Sequence, residues 1–211
     1  MPITLYYSRS TACLVVHWLL IELGVPHELR ELDFDKRDQK SPEYLKLNPA
    51  GVVPTLMIDG QVVTEAAAIA LHLADMHPQA GLAPALASPE RAQYYRWMFF
   101  CANTLQSAYR AWFYPTEPAG EGQAEAAKAQ ARAKLEAAWQ QVANHLEGNG
   151  PYLLGEKKSA ADFMLTMLMR WSRNMPKPTD SWPVLHAYAQ RMKAMPSFKE
   201  VYAREGLTDW T

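Results

Sequence analysis

Apolar and polar positions alternate over Ile3-Thr4-Leu5-Tyr6-Tyr7, the period of a half-buried strand. After polar Ser8-Arg9-Ser10-Thr11 the period changes, and an apolar helical pattern runs over 13–23 and stops at Gly24. Residues 27–34 read as a second strand, and Ser41-Pro42-Glu43 opens a helix with a cap and an N1 proline. Apolar runs at 55–58 and 61–63 flank Asp59-Gly60, a two-residue hairpin signal, and a helix over 65–76 is stopped by Pro78. The order is β-α-β-α-β-β-α.

Beyond Pro78 the strand signals vanish. Residues 79–88 form a linker rich in Ala, Pro and Gly, and everything after it reads as helix. One long helix starts at Pro89-Glu90 and reaches about residue 114, and a polar loop at 117–122 ends it. An Ala-rich helix follows over 123–146, ending at Gly148. Ser159-Ala160-Ala161-Asp162 is a capping box ahead of an apolar run to Trp171, and two shorter helices fit 183–192 and 197–205. The expected domains are therefore 1–78, a linker at 79–88, and an all-helical 89–211.

Composition narrows the class. The chain has 211 residues, 49% hydrophobic and 20% charged, long enough for one large domain or two small ones with real cores. A formal net charge of -1 gives no basic footprint for nucleic acid. Two cysteines, Cys13 and Cys101, make no disulfide framework and suit a reducing compartment. No leader pattern and no run of about 18 apolar residues is read, so a soluble cytoplasmic protein without a membrane span is expected. His17, His27, His72, His77, His145 and His186 lack metal-ligand spacing, and no phosphate-binding glycine motif occurs, so neither metal nor nucleotide is expected.

The stretch Asn48-Pro49-Ala50-Gly51-Val52-Val53-Pro54-Thr55-Leu56 carries the most specific signal. Proline cannot donate to a ladder, so Pro54 must open a strand or sit in a turn, and a Val-Pro bond is cis at a cost of only about 0.5–1 kcal/mol. A cis turn leaves the Val53 backbone pointing outward. With Thr64-Glu65-Ala66 downstream and Tyr152-Leu153-Leu154-Gly155 before the capping box, the whole chain resembles the cytosolic glutathione transferases. That resemblance implies an α/β thioredoxin-like N-terminal domain (βαβαββα) followed by an all-α C-terminal domain. It implies glutathione as co-substrate, conjugation to a small hydrophobic electrophile as in detoxification, and a homodimer. A glutathione-dependent isomerase, a thiol reductase and a non-catalytic transferase-like module are the alternatives on the same fold.

A gap-free count back from Glu22-Leu23-Gly24-Val25-Pro26 puts Ser10 where the theta and zeta classes carry a catalytic serine. Ala12 falls at the beta-class cysteine, Cys13 lies one residue beyond it, and Gln106 falls where beta-class members place a supporting histidine. The motifs sit between classes: Ser10-Thr11-Ala12-Cys13-Leu14 keeps S-x-x-C but not the following arginine. Ser10 is the expected thiolate donor, with Thr11, Ser8, Tyr6 and Tyr7 as alternatives, whereas a plain helix cap would also explain Ser10 or Thr11. By the same resemblance Val53 and Pro54 present backbone to the cysteinyl part of glutathione, and Glu65 meets the γ-glutamyl ammonium. Ala66 stands where the family usually has serine, keeping the N–H but not the hydroxyl, and Gln39 is the candidate for the glycine carboxylate. Tyr7, Tyr109, Trp112 and Phe113 are expected to line the acceptor pocket, although aromatics at helical spacing are commonly core.

Overall fold

The protein is described by a computed structural model covering residues 2–211, apart from the side chains of Ala119 and Glu121. Its contacts divide the chain into two compact units. The first runs through Ala83 and takes up Lys193–Asp209, while the second is Pro84–Met192.

The first unit begins with β1 (Ile3–Tyr7), α1 (Cys13–Glu22), β2 (Glu28–Glu31), α2 (Pro42–Leu47), β3 (Thr55–Ile58), β4 (Gln61–Thr64) and α3 (Ala66–Met76). The strands form one sheet in the order β2-β1-β3-β4. The β1–β2 pair is parallel, and β1–β3 and β3–β4 are antiparallel. This is the expected α/β thioredoxin-like arrangement. The second strand is shorter than the pattern 27–34 suggested. Asp33 ends it, its Oδ1 accepting from the amides of Asp35 (2.9 Å) and Lys36 (3.2 Å), which turns the chain away from the ladder. Ser41 caps α2 as its sequence indicated, its Oγ accepting from the Tyr44 amide at 3.2 Å.

The second unit opens with α4 (Glu90–Phe99), which passes through a π-helical stretch (Phe100–Gln106) into α5 (Ser107–Phe113). The long helix expected there exists, but its hydrogen bonding widens in the middle, where Ser107 Oγ donates to the Ala102 carbonyl five residues back at 3.4 Å. A short α6 (Thr116–Ala119) leads to α7 (Ala124–Asn149), which runs through Gly148 rather than stopping there. Then follow α8 (Ala160–Trp171), buried along nearly its whole length, and α9 (Pro183–Lys193). Trp139 of α7 donates from Nε1 to the Tyr109 hydroxyl at 3.2 Å, and Trp171 meets the Tyr109 ring edge-on, so the core of this unit is aromatic.

The last helix, α10 (Pro196–Glu205), belongs with the first unit. The reason lies in α1, which is apolar all round and buries every residue from Cys13 to Leu20. A helix of that kind needs a cover on the side away from its sheet, and α10 supplies it. Trp18 donates from Nε1 to Ser197 Oγ (2.9 Å), Ser197 donates onward to Glu22 (2.5 Å), and the Trp18 and Phe198 rings pack edge-on at 5.1 Å.

Asp162 begins α8 as the capping box indicated, and it is fully buried. Its carboxylate accepts from the amides of Leu153 (2.9 Å) and Ser159 (2.7 Å) and from the hydroxyls of Ser159 (2.9 Å) and Tyr188 (2.8 Å). Burial pushes the Asp162 carboxyl upward, and those four donors work against that rise by favouring its ionised form. Asp162→Ala removes a cap and strands several buried donors, so it should cost about 2–4 kcal/mol in urea unfolding. A loss below about 0.5 kcal/mol would mean that the network contributes nothing beyond an ordinary surface site.

Candidate active site

The register of the sheet gathers the chemistry-bearing turns. Tyr6 of β1 pairs with Thr55 of β3, and Thr55 pairs with Thr64 of β4. The end of β1, the start of β3 and the end of β4 therefore share one end of the sheet. The turn carrying Ser10, the Val53-Pro54 turn and the Glu65-Ala66 start of α3 all leave from that end.

In the turn after β1, the Thr11 hydroxyl ties the turn to the start of α1. It donates to the Ser8 carbonyl at 2.6 Å and accepts from the Cys13 amide at 3.3 Å, so its proton is already committed. Ser10 adopts a left-handed backbone with φ of 61°, uncommon for a residue with a side chain. Its amide donates to Glu205 Oε2 at 3.2 Å. Glu205 is the last residue of α10, and nothing in the sequence pattern had marked it for this role.

The loop before β3 is held from beneath. Tyr44 donates its hydroxyl to the Val52 carbonyl (2.6 Å), and Asn48 Nδ2 donates to the same oxygen (2.8 Å) and to Thr55 Oγ1 (3.1 Å). Tyr44 and Asn48 are thus positioning residues of this loop that sequence reasoning passed over; an asparagine just ahead of Pro49 was the available signal. The Val53-Pro54 bond is cis. Among the described residues, no hydrogen bond reaches the Val53 N–H or C=O.

Gln39 lies in a single turn (Asp38–Lys40) pressed on that loop, where Lys40 donates from Nζ to the Ala50 carbonyl at 3.1 Å. Gly51 makes this approach possible. Its φ is +60°, and a Cβ there would stand 2.8 Å from the Gln39 carbonyl and 2.7 Å from Lys40 Nζ. The Gln39 Oε1 is buried with no hydrogen-bond partner among the described residues.

Glu65 is exposed and caps α3 with φ 68° and ψ 110°, a second strained non-glycine backbone at this end of the sheet. Among the described residues its carboxylate has no hydrogen bond or ion pair. Ala66 is the first residue of α3, where backbone N–H groups are unpaired by the helix and attract anions.

The expected acceptor residues divide. Tyr7 is only 5% exposed: its hydroxyl donates to Glu31 at 3.5 Å, and its ring packs near His17. Burial first, and Glu31 second, push its phenol upward, so Tyr7 is a core residue and not a pocket wall. Tyr109 is likewise corrected to core; it is fully buried against Trp139 and Trp171, and burial pushes its phenol up. Trp112 stays partly open under Lys128, whose Nζ lies 4.7 Å from the ring centroid, and Phe113 is 48% exposed. Among the described residues no group of three or more His, Cys, Asp or Glu side chains converges as a metal site would.

With this geometry in place, comparison with known proteins is specific. The model for the glutathione S-transferase N-terminal domain matches residues 1–75, and one for the C-terminal domain matches 103–205. Glutathione S-transferase GST-4.5 of Xanthomonas campestris is 32% identical over 203 residues, covering 95% of this chain and 98% of its own length. A glutathione S-transferase structure from Xylella fastidiosa superimposes with a TM-score of 0.89 at 30% identity, covering 98% of this chain and all of the other. A sphingomonad glutathione S-transferase complexed with glutathione gives 0.84 at 29% identity, over 97% of this chain and all of the other. The chain belongs to the glutathione S-transferase family. Its two domains are the thioredoxin-like and helical domains of that family.

Both cysteines are fully buried. Burial pushes the Cys13 thiol up to about 12 and the Cys101 thiol upward as well, so neither forms a thiolate at neutral pH. A chromogenic disulfide reagent at pH 8 should find no thiol in the folded protein and both after unfolding in guanidinium. Fast reaction of a thiol in the folded protein would contradict this burial.

Proposed function

We propose that this protein is a glutathione transferase in which Ser10 holds the glutathione sulfur as a thiolate. The observation that carries the reading is the division of labour between the two neighbouring hydroxyls. Thr11 spends its proton on the Ser8 carbonyl and accepts from the Cys13 amide, so its hydroxyl is committed within the turn and Ser10 is the better donor to a sulfur. The strained backbones of Ser10 and Glu65, at one end of the same sheet, add support, because such strain collects at functional sites.

In this reading the Val53 N–H and C=O pair with the cysteinyl backbone of glutathione, as an added strand would. The Glu65 carboxylate takes the γ-glutamyl ammonium. The first amides of α3, from Ala66 onward, receive the neighbouring carboxylate, and Gln39 reaches the glycine carboxylate. Of the acceptor candidates, Trp112 and Phe113 keep accessible faces for an apolar electrophile, and Tyr7 and Tyr109 are withdrawn.

The chemistry needs little from the protein. A free thiol has a pKa of about 8.5, so only a few per cent is ionised at neutral pH. A hydrogen bond to a charged acceptor contributes about 1.5–3 kcal/mol, equivalent to about 1–2 pKa units. The thiol proton goes to solvent, and the Ser10 hydroxyl keeps its own proton while donating to the sulfur. Sulfur then forms a bond to the electrophilic carbon as a leaving anion departs, or, in an addition, as the carbanion takes a proton from water.

Initial rates with an activated aryl halide, together with glutathione affinity, test this. Ser10→Ala should lower kcat/KM about 10–100-fold at neutral pH, with glutathione affinity changed less than about 3-fold. Glu65→Gln should instead weaken glutathione binding by about 10-fold or more, because the ammonium loses its counter-charge. Unchanged turnover in Ser10→Ala would remove Ser10 as donor, and no glutathione binding by the unmodified protein would remove the transferase reading altogether.

A further inference from the structure

The buried carboxylate of Glu205 is out of place by every local rule. It is 1% exposed, and it ends α10, where the helix dipole disfavours negative charge. A buried carboxylate is costly unless its oxygens are met by donors. Both oxygens are met here: Oε1 lies 3.0 Å from Nδ1 of His17, itself fully buried on α1, and Oε2 accepts the Ser10 amide at 3.2 Å. A carboxylate can only accept, so Nδ1 of His17 carries the proton.

The three groups come from different parts of the first unit. Ser10 sits in the turn between β1 and α1, His17 one turn and more along α1, and Glu205 lies 195 residues from Ser10 in sequence. For its part, Ser10 holds an unfavourable left-handed backbone. Such a conformation persists only when its surroundings over-determine it. Thr11 ties the turn to Ser8 and to the start of α1, and Glu205 accepts from the Ser10 amide at 3.2 Å.

We propose that Glu205 is a positioning residue for the reaction: oriented by His17, its carboxylate fixes the Ser10 backbone so that the Ser10 hydroxyl points at the glutathione sulfur. This rests on the reading of Ser10 as thiolate donor. Glu205 touches neither substrate nor sulfur; it acts through Ser10 alone. The last helix of the chain is then part of the activating machinery, as well as a cover for α1.

The test reads the ionisation of bound glutathione from its ultraviolet thiolate absorbance across pH, with affinity measured alongside. Five proteins are compared: the unmodified protein, Ser10→Ala, Glu205→Gln, the double variant His17→Phe/Glu205→Met, and that double variant with Ser10→Ala added. The double variant replaces a buried polar pair by apolar groups of similar shape, which a fold tolerates better than a half-removed pair. It removes the carboxylate to which the Ser10 amide donates. Glu205→Gln keeps an acceptor for the Ser10 amide, with its own N–H₂ facing His17 in the other tautomer.

The double variant should raise the pKa of bound thiol by about one unit, with glutathione affinity within about 3-fold, and Glu205→Gln should restore most of the difference. Adding Ser10→Ala to the double variant should raise it no further than Ser10→Ala does alone, since both act on one hydrogen bond. If Ser10→Ala raises the pKa but the double variant leaves it at the unmodified value, Glu205 is only structural and the proposal falls, with Ser10 intact. If Ser10→Ala itself leaves the pKa unmoved, the donor reading falls and takes this proposal with it. Thermal unfolding establishes that each variant is folded. Should the double variant not fold, Glu205→Asp draws the acceptor off Ser10 by one methylene and carries the same comparison.

Discussion

The register in which Tyr6, Thr55 and Thr64 lie side by side is the constraint on which the site depends. Because side chains alternate faces along a strand, a slip of one residue would turn Leu5 and Leu56, both fully buried, out of the core. The register is therefore fixed by packing, and its consequence is chemical. Three turns that are far apart in sequence leave the sheet at one end, each presenting something different: a hydroxyl at a helix start, an unpaired stretch of backbone, and a lone carboxylate over unpaired amides.

Around that end the molecule tolerates several local costs. Ser10 and Glu65 hold positive φ without being glycine, Glu205 buries a carboxylate at the wrong end of a helix, and Gly51 is confined to the one residue type that lets Lys40 and Gln39 close on the loop. Their concentration in the first unit, beside the features that match the glutathione transferases, separates a prepared site from an ordinary sheet end. The second unit shows the opposite economy: one of its buried polar groups, Asp162, meets four donors and serves to start a helix.

Much of this was legible in the chain. An α/β alternation followed from changes of period, its thioredoxin-like order mostly from the family resemblance, Asp59-Gly60 and Ser41-Pro42 from turn and cap chemistry, and the start of α8 from its capping box. These signals are local, so sequence carries them. What sequence missed depends on neighbours far along the chain. The uniformly apolar α1 signalled burial on all sides without saying that residues 193–209 would provide the second cover. Glu205 read as an ordinary acid in a terminal helix, because its partners, Ser10 and His17, are almost the whole chain away. Tyr7 and Tyr109 carried the same ambiguity: an aromatic at the right spacing does not reveal whether its face meets a ligand or another ring, and in both cases it meets the core.

The most direct check of the account is the crystal structure of the unmodified protein grown with glutathione. The glutathione sulfur should lie within hydrogen-bonding distance of Ser10 Oγ, the cysteinyl amide should pair with Val53, and the γ-glutamyl ammonium should sit against Glu65. A sulfur held by Thr11 or a tyrosine, or a glutathione bound away from this end of the sheet, would contradict it.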